Sequence, residues 1–403
     1  MTFNLLRITL TALIVFSSAN SLAAEDKIRI DISGYLEPQI MATKDDFLLK
    51  ERLRLEIDID FQHNISLVTN ADFFAYQGDR NWNMLDFVPE KINASVATAD
   101  KYLYESIFSE DILLHKAYLK ASFNSIDIYL GRQQMPLGTG YVWNPTDIFN
   151  LKDTADPTSE LPGHDAIRID YMISDRSNLY VFYLPDENAD DFDAFKPEAG
   201  NEESAVVIRY KRGIGHFDTS LIFMQRDRLL TDYVSFETIA QEQSVYGFDL
   251  AGELFSLGVW AEYAYHALNN SNDFDDFVLG ADYTFLNELY FLAEFYRNND
   301  AKKNHKLYDI NDWMRYLFGE TKSITRDQLY LYLSYPATDL ITVGCAALTS
   351  LNDGSVQIIP SAAYSMAENI EANLFLNFSL GNEETSFGES LGHSVTARMR
   401  IFF

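Results

Sequence analysis

Charged side chains recur at every second position along much of this chain. Residues 52–61 read Arg-Leu-Arg-Leu-Glu-Ile-Asp-Ile-Asp-Phe. On an extended backbone Arg52, Arg54, Glu56, Asp58 and Asp60 project to one side, and Leu53, Leu55, Ile57, Ile59 and Phe61 to the other. A row of this kind can order water and sort solutes by charge and dipole. Acid–base or nucleophilic chemistry finds much less support. The seven histidines are scattered, and no two stand at metal-ligand spacing. His164 and Asp165 are a pair by adjacency alone, and the nearby Ser159 makes no triad without geometry. No enzyme, metal site or cofactor is expected.

Composition closes off other classes. The 403 residues carry 31 Lys+Arg against 60 Asp+Glu, a net charge of -29, which repels a phosphate backbone and excludes nucleic acid as a partner. The single cysteine, Cys345, rules out a disulfide scaffold or a cysteine zinc site. Mean hydropathy of -0.15 excludes a bundle of membrane helices. Residues 1–24 read as a cleaved secretory leader: Arg7, an apolar stretch from Ile8 to Phe16, then the small-x-small site Ser21-Leu22-Ala23. That stretch is too short to cross a bilayer as a helix, which takes roughly 20 residues. Residues 25–403 then form one exported domain.

The elements that carry the charges are strands. Period-two alternation returns at Ile167–Ile173, Leu257–Tyr265, Leu329–Tyr335, Ile370–Leu380 and Val395–Phe403, and helical spacing is absent at comparable length. Eighteen segments are expected, near 27–40, 50–61, 64–75, 112–123, 125–133, 165–174, 178–185, 204–212, 217–226, 243–253, 257–267, 276–285, 288–299, 326–335, 340–350, 355–366, 369–380 and 392–403, with sixteen as the other possible count. Their connections alternate short and long, and Phe, Tyr and Trp, 14% of the chain, gather near segment ends. Segments of about 9–11 residues, tight turns on one side, long loops on the other and an even count are the marks of an all-β, antiparallel, up-and-down transmembrane barrel with both termini periplasmic.

The final alternating strand ending in Phe403, behind a leader, resembles the assembly signature of bacterial outer-membrane barrels. A second stretch is more particular: Gly131-Arg132-Gln133-Gln134-Met135-Pro136-Leu137-Gly138-Thr139-Gly140, then Trp143-Asn144-Pro145-Thr146-Asp147-Ile148-Phe149-Asn150. It resembles porin-like and alginate-export-like barrels, in which a Gly-Arg-Gln strand end leads into a loop rich in Gly, Asn-Pro and Asp. The resemblance implies a Gram-negative outer-membrane location, contact with lipid and lipopolysaccharide, insertion by barrel-assembly machinery, and a pore for small polar or charged solutes. Two alternatives stand beside it: an exporter of an anionic exopolysaccharide, which the alginate-export likeness implies, and, from another class, a surface structural or adhesion barrel without a pore. The acidic balance of this chain departs from the arginine-rich lining of alginate exporters.

If polar parity faces the lumen, the basic lining is Arg52, Arg54, Lys116, Lys120, Arg168, Arg209, Lys211, Arg398 and Arg400, with Lys27 and Arg29 at the start. The first and last strands meet on closure, so these form one arc. The acidic lining is Asp249, Glu253, Glu262, Asp282, Glu294 and Glu371, mostly on segments between 243 and 299, the opposite wall. The long connection 134–164 is the candidate constriction. Gly138 and Gly140 allow tight turns, Trp143 and Phe149 give it something to pack, and Asn144 and Asp147 are its polar groups. Connection 186–203 holds eight acids against Lys196 and reads as a solvated loop, or as one bridged by divalent cations to lipopolysaccharide. Lys302, Lys303 and Lys306 form a small basic cluster that could meet lipid phosphates.

Overall fold

Alternation dictates pairing: a strand with one apolar face must share its backbone groups with neighbours on both edges. In the computed structural model the strands are β1 (Ile28–Ala42), β2 (Phe47–Phe61), β3 (Ile65–Gly78), β4 (Asn81–Asn83), β5 (Glu105–Ile107), β6 (Asp111–Phe123), β7 (Ile126–Gln133), β8 (His164–Ser174), β9 (Ser177–Leu184), β10 (Ala205–Ile214), β11 (Phe217–Asp232), β12 (Glu237–Leu254), β13 (Leu257–Leu268), β14 (Phe274–Thr284), β15 (Tyr290–Asn298), β16 (Asp327–Pro336), β17 (Ile341–Ser350), β18 (Val356–Ala367), β19 (Ile370–Leu380) and β20 (His393–Phe402). The structure describes residues 28–61, 64–154, 156, 159–185 and 204–403, without the side chains of 228 and 229. The leader, Lys27 and the acidic connection 186–203 lie outside the described residues.

All strands but β4 and β5 form one antiparallel sheet in chain order, and β1 pairs with β20 to close it. The result is an 18-stranded barrel. Each of the eighteen expected segments is one barrel strand. The seam is completed by the chain end, where the Phe403 N–H donates to Gly34 O at 3.0 Å and Gly34 N–H donates to Phe403 O at 3.1 Å. Closure removes the sheet edges that would otherwise lie unpaired in lipid.

One parity of the strands is apolar and exposed: Ile30, Leu130, Ile169, Ile208, Leu279, Leu333 and Leu374 all lie outward and open. So wide an apolar exterior is unfavourable in water and suits the hydrocarbon layer of a bilayer. Short turns gather at the end that holds both termini, and the long connections at the other.

Two expectations are corrected here. Connection 227–242 is not a loop along its length, because β11 and β12 run on to Asp232 and Glu237 and project as a long hairpin. Helices are also present, a short one at Glu90–Ser95 and another at Ile310–Leu317, the latter capped by Asp309 accepting from Asp312 N–H, with Ile310, Trp313 and Met314 buried. Eight residues were too few to stand out against the strand pattern. This helix belongs to a cap over the long-loop end. Trp82, Leu85, Tyr104 and Phe108 from 79–110, Tyr233 from the long hairpin and Trp313, Met314 and Phe318 from 299–326 share one apolar core, with Leu391 packed against it. The Tyr104 hydroxyl donates to Tyr233 O at 2.6 Å, the Tyr233 hydroxyl to Glu320 at 2.7 Å, and Tyr308 and Ser386 hydroxyls meet at 3.1 Å. Lys302, of the small basic cluster, is held by Asp309 at 2.7 Å and Asp312 at 2.6 Å.

Candidate functional site

The connection between β7 and β8 leaves the wall at Gln133 and runs through the inside of the barrel. Its first limb is apolar and finds an apolar wall: Met135, Leu137 and Phe149 pack with Ala166, Phe182, Val207, Ile222, Met224, Val245 and Ala264. Further along, Val142 and Trp143 pack with Val278, Leu292, Tyr296 and Tyr330, and the Trp143 and Tyr296 rings stack at 5.2 Å. Part of the lumen is thus a packed core rather than a wet channel.

Backbone N–H groups in an irregular loop must be satisfied where water is scarce. Two wall carboxylates do this. Glu262 on β13 accepts from Thr139 N–H at 2.8 Å, Gly140 N–H at 3.2 Å, Thr146 N–H at 2.6 Å and the Thr146 hydroxyl at 2.7 Å. Glu294 on β15 accepts from Tyr141 N–H, from Val142 N–H at 2.8 Å, from Trp143 N–H at 3.0 Å and from the Trp260 indole at 2.6 Å. Gly138 has φ +80, and a Cβ there would lie 2.6 Å from both Glu262 oxygens, so only glycine lets the loop come this close. The half-buried Lys152 ammonium donates to Gly140 O at 2.6 Å and Tyr141 O at 3.1 Å, and Lys322 from the cap donates to Asn144 O. Burial pushes the Lys152 ammonium below its ordinary value. Asp147 takes Asn150 N–H at 3.1 Å and Phe149 N–H at 3.2 Å, and burial raises its carboxyl to about 6.

The returning limb crosses to the other wall. Glu160 reaches Arg54 on β2, Lys116 at 3.0 Å and His115 at 3.3 Å on β6. A β-bulge at His115 turns both it and Lys116 inward. Burial alone would raise the Glu160 carboxyl; hydrogen bonds and charge from His115 and Arg54 outweigh it and hold the group below the usual carboxylate range. Asp156 pairs with Arg398 on β20 at 2.9 Å.

The expected arc and wall are brought together as local pairs. Arg52 and Arg54 share Asp72, each at 2.6 Å. Arg400 meets Glu37 at 2.5 Å, Lys120 meets Asp127 at 3.1 Å, Arg168 meets Asp170 at 2.6 Å and Lys211 meets Asp218 at 2.9 Å. Asp249, assigned to the far wall, pairs with Arg209 at 3.1 Å. Asp282 accepts from the Tyr290 hydroxyl at 2.8 Å, Glu371 stands opposite Arg400 in the β19–β20 register, and Glu253 is exposed beside the 255–256 turn. The picture of two facing walls of opposite charge is therefore replaced by ion pairs, with Glu262 and Glu294 engaged by the loop. His164 and Asp165 point to opposite faces of β8: the ring meets Asn150 at 3.0 Å and the carboxylate meets Arg132 at 3.2 Å.

Sequence reasoning missed Asp72, Glu37, Asp156 and Glu160, and with them the apolar half of the lumen. A signal for the latter was present. At Ala205-Val206-Val207-Ile208 and Leu221-Ile222-Phe223-Met224 alternation lapses, because Ala205, Val207, Ile222 and Met224 meet the loop's apolar residues inside while Val206, Ile208 and Leu221 face outward.

No family model and no curated protein matches this sequence. Among solved structures it is similar to a loop-L8 deletion mutant of OmpT, an outer membrane protein of Vibrio cholerae, with TM-score 0.47 and 10% identity over 94% of this chain and 100% of that one. It is also similar to a triple mutant of the Rhodopseudomonas blastica porin, with TM-score 0.46 and 13% identity over 93% and 100%. At these values the likeness carries no statement about solute or partner; the barrel rests on the strand pairing itself.

Proposed function

We propose that this chain, after loss of residues 1–24, is an outer-membrane pore with periplasmic termini that passes small polar or charged solutes through a lumen narrowed by its own inward loop. One observation carries the reading: the described residues of 134–163 cross the lumen and are tied by side chains to β13 and β15 on one wall and to β2, β6 and β20 on the other. A loop built so firmly inside a barrel restricts what passes. Export of an anionic polymer finds less support, since each of the nine expected cations already has a carboxylate within 3.2 Å. A sealed surface barrel is the second reading, favoured by the packed cap at the long-loop end. Conductance in planar lipid separates the two. The pore reading expects discrete current steps from the intact protein, and larger steps from Glu262→Gln with Glu294→Gln, which loosens the loop. Silence from both proteins would leave the sealed barrel.

A further inference from the structure

Beneath the loop, on the short-turn side, the wall is dented. A cavity of about 160 Å³ lies between Tyr141 of the loop and the inner faces of β16–β20. Its floor is recessed because Gly344 and Ser361, cross-strand neighbours on β17 and β18, are small. Tyr332 lies over Gly344: a Cβ there would sit 2.9 Å from the Tyr332 hydroxyl and 3.1 Å from its ring. Phe375 forms the far side, with the Arg398 guanidinium 5.7 Å from its ring centre.

The lining offers aromatic surface and hydrogen-bonding groups without net charge. The Asn373 amide and the Ser361 hydroxyl line the cavity, and the Arg398 guanidinium is held beside them by Asp156 at 2.9 Å, with Glu37 3.8 Å from its Nε. The cavity's one cation, Arg398, and its one anion, Asp156, are already paired at 2.9 Å. An ionic solute would have to break that pair. A ring with an apolar C–H face and hydroxyls around its edge would not: it can lie on tyrosine and accept or donate to both partners as they stand. The volume is below the roughly 300–1,000 Å³ of drug-sized pockets, so it suits one ring at a time.

We propose that this dent is a subsite for a neutral pyranose ring, its face on Tyr332 and its hydroxyls on Asn373, Arg398 and Asp156. The proposal rests on the pore reading for its use in transport, but binding itself can be measured apart from current. The test uses the full folded barrel with maltotriose as the neutral probe and sodium glucuronate as the charged one. Titration calorimetry in detergent reads binding, and interruption of ion current in planar lipid reads occupancy of the passage. Maltotriose should bind and interrupt current. Tyr332→Ala should weaken both about tenfold, Tyr332→Phe should retain them, and Asn373→Ala should weaken them several-fold. The outward-facing Leu376→Ala should match the parent. Should Tyr332→Ala fail to fold, Asn373→Ala against Leu376→Ala decides. Maltotriose binding in a barrel that carries no current would uphold the subsite and remove the pore. Current steps with no maltotriose binding, or binding of glucuronate alone, would overturn the subsite and leave the pore standing.

Discussion

At the scale of residues, most of the chemistry here is polar satisfaction in a confined space. Glu262 and Glu294 each take several backbone N–H groups, and hydrogen bonds to a charged group contribute about 1.5–3 kcal/mol each. Neutralising them is therefore expected to change pore size and current noise more than ion selectivity. Asp147 makes a pH-dependent contribution. Its carboxyl is raised to about 6 by burial, although Asn150 and Lys322 favour the charge. A raised acid favours the docked loop fully below the unfolded value of about 3.9, and that contribution is lost as pH rises through about 6. Loop fluctuation, read as open-channel noise, should be smaller at pH 5 than at pH 8, and Asp147→Asn should flatten the difference. Glu160 has the opposite sign. Its lowered carboxyl supports the latch above the unfolded value of about 4.3 and releases it only as pH falls through its lower folded value. An equal pH dependence in parent and Asp147→Asn would remove Asp147 from the account.

At the scale of elements, each strand is two half-surfaces with different solvents. Leu374 faces outward, and its neighbour Asn373 faces the lumen. Leu374→Arg should cost about 2–4 kcal/mol of folding stability in bilayers if it lies near the midplane, whereas Asn373→Arg should fold almost as the parent does. Denaturant titration in lipid vesicles checks this, and equal losses would contradict the register. The last strand has a further duty. Phe403 exchanges two backbone hydrogen bonds with Gly34 across the seam, and its ring lies against the Gly34 Cα. Deleting Phe403 is expected to lower the yield of heat-modifiable barrel in outer-membrane fractions while the chain still reaches the periplasm.

At the scale of the whole molecule, three packed regions divide the work: the cap, the loop within the lumen and the closed sheet. The cap core is made mostly by connections, joined by Leu48 and Tyr76 from the long-loop ends of β2 and β3. Trp313 is fully buried in it, and large-to-small changes of buried aromatics cost about 3–5 kcal/mol. Trp313→Ala should therefore loosen the cap and raise protease sensitivity within 79–110 and 299–326, with the barrel still heat-modifiable. Loss of the barrel itself would mean that cap and sheet fold as one cooperative unit.

Alternation along the chain determined the strands and, away from the bulge at His115, the side that each residue takes, while their count stood at eighteen or sixteen. These follow from local geometry, because a strand's two faces are set by sequence parity alone. It was enough to place Leu55 outward and Arg54 inward, and to mark 134–164 as the connection most suited to a constriction. Sequence parity does not say what stands opposite an inward side chain, and that was decided by closure. Glu160 meets Arg54 across 106 positions, and Glu262 meets Thr146 across 116, distances over which no spacing rule operates. Two of the acids read as a free wall, Glu262 and Glu294, were taken up by the loop for the same reason. A buried N–H needs an acceptor, and only the folded barrel brings Glu262 and Glu294 to where those N–H groups lie.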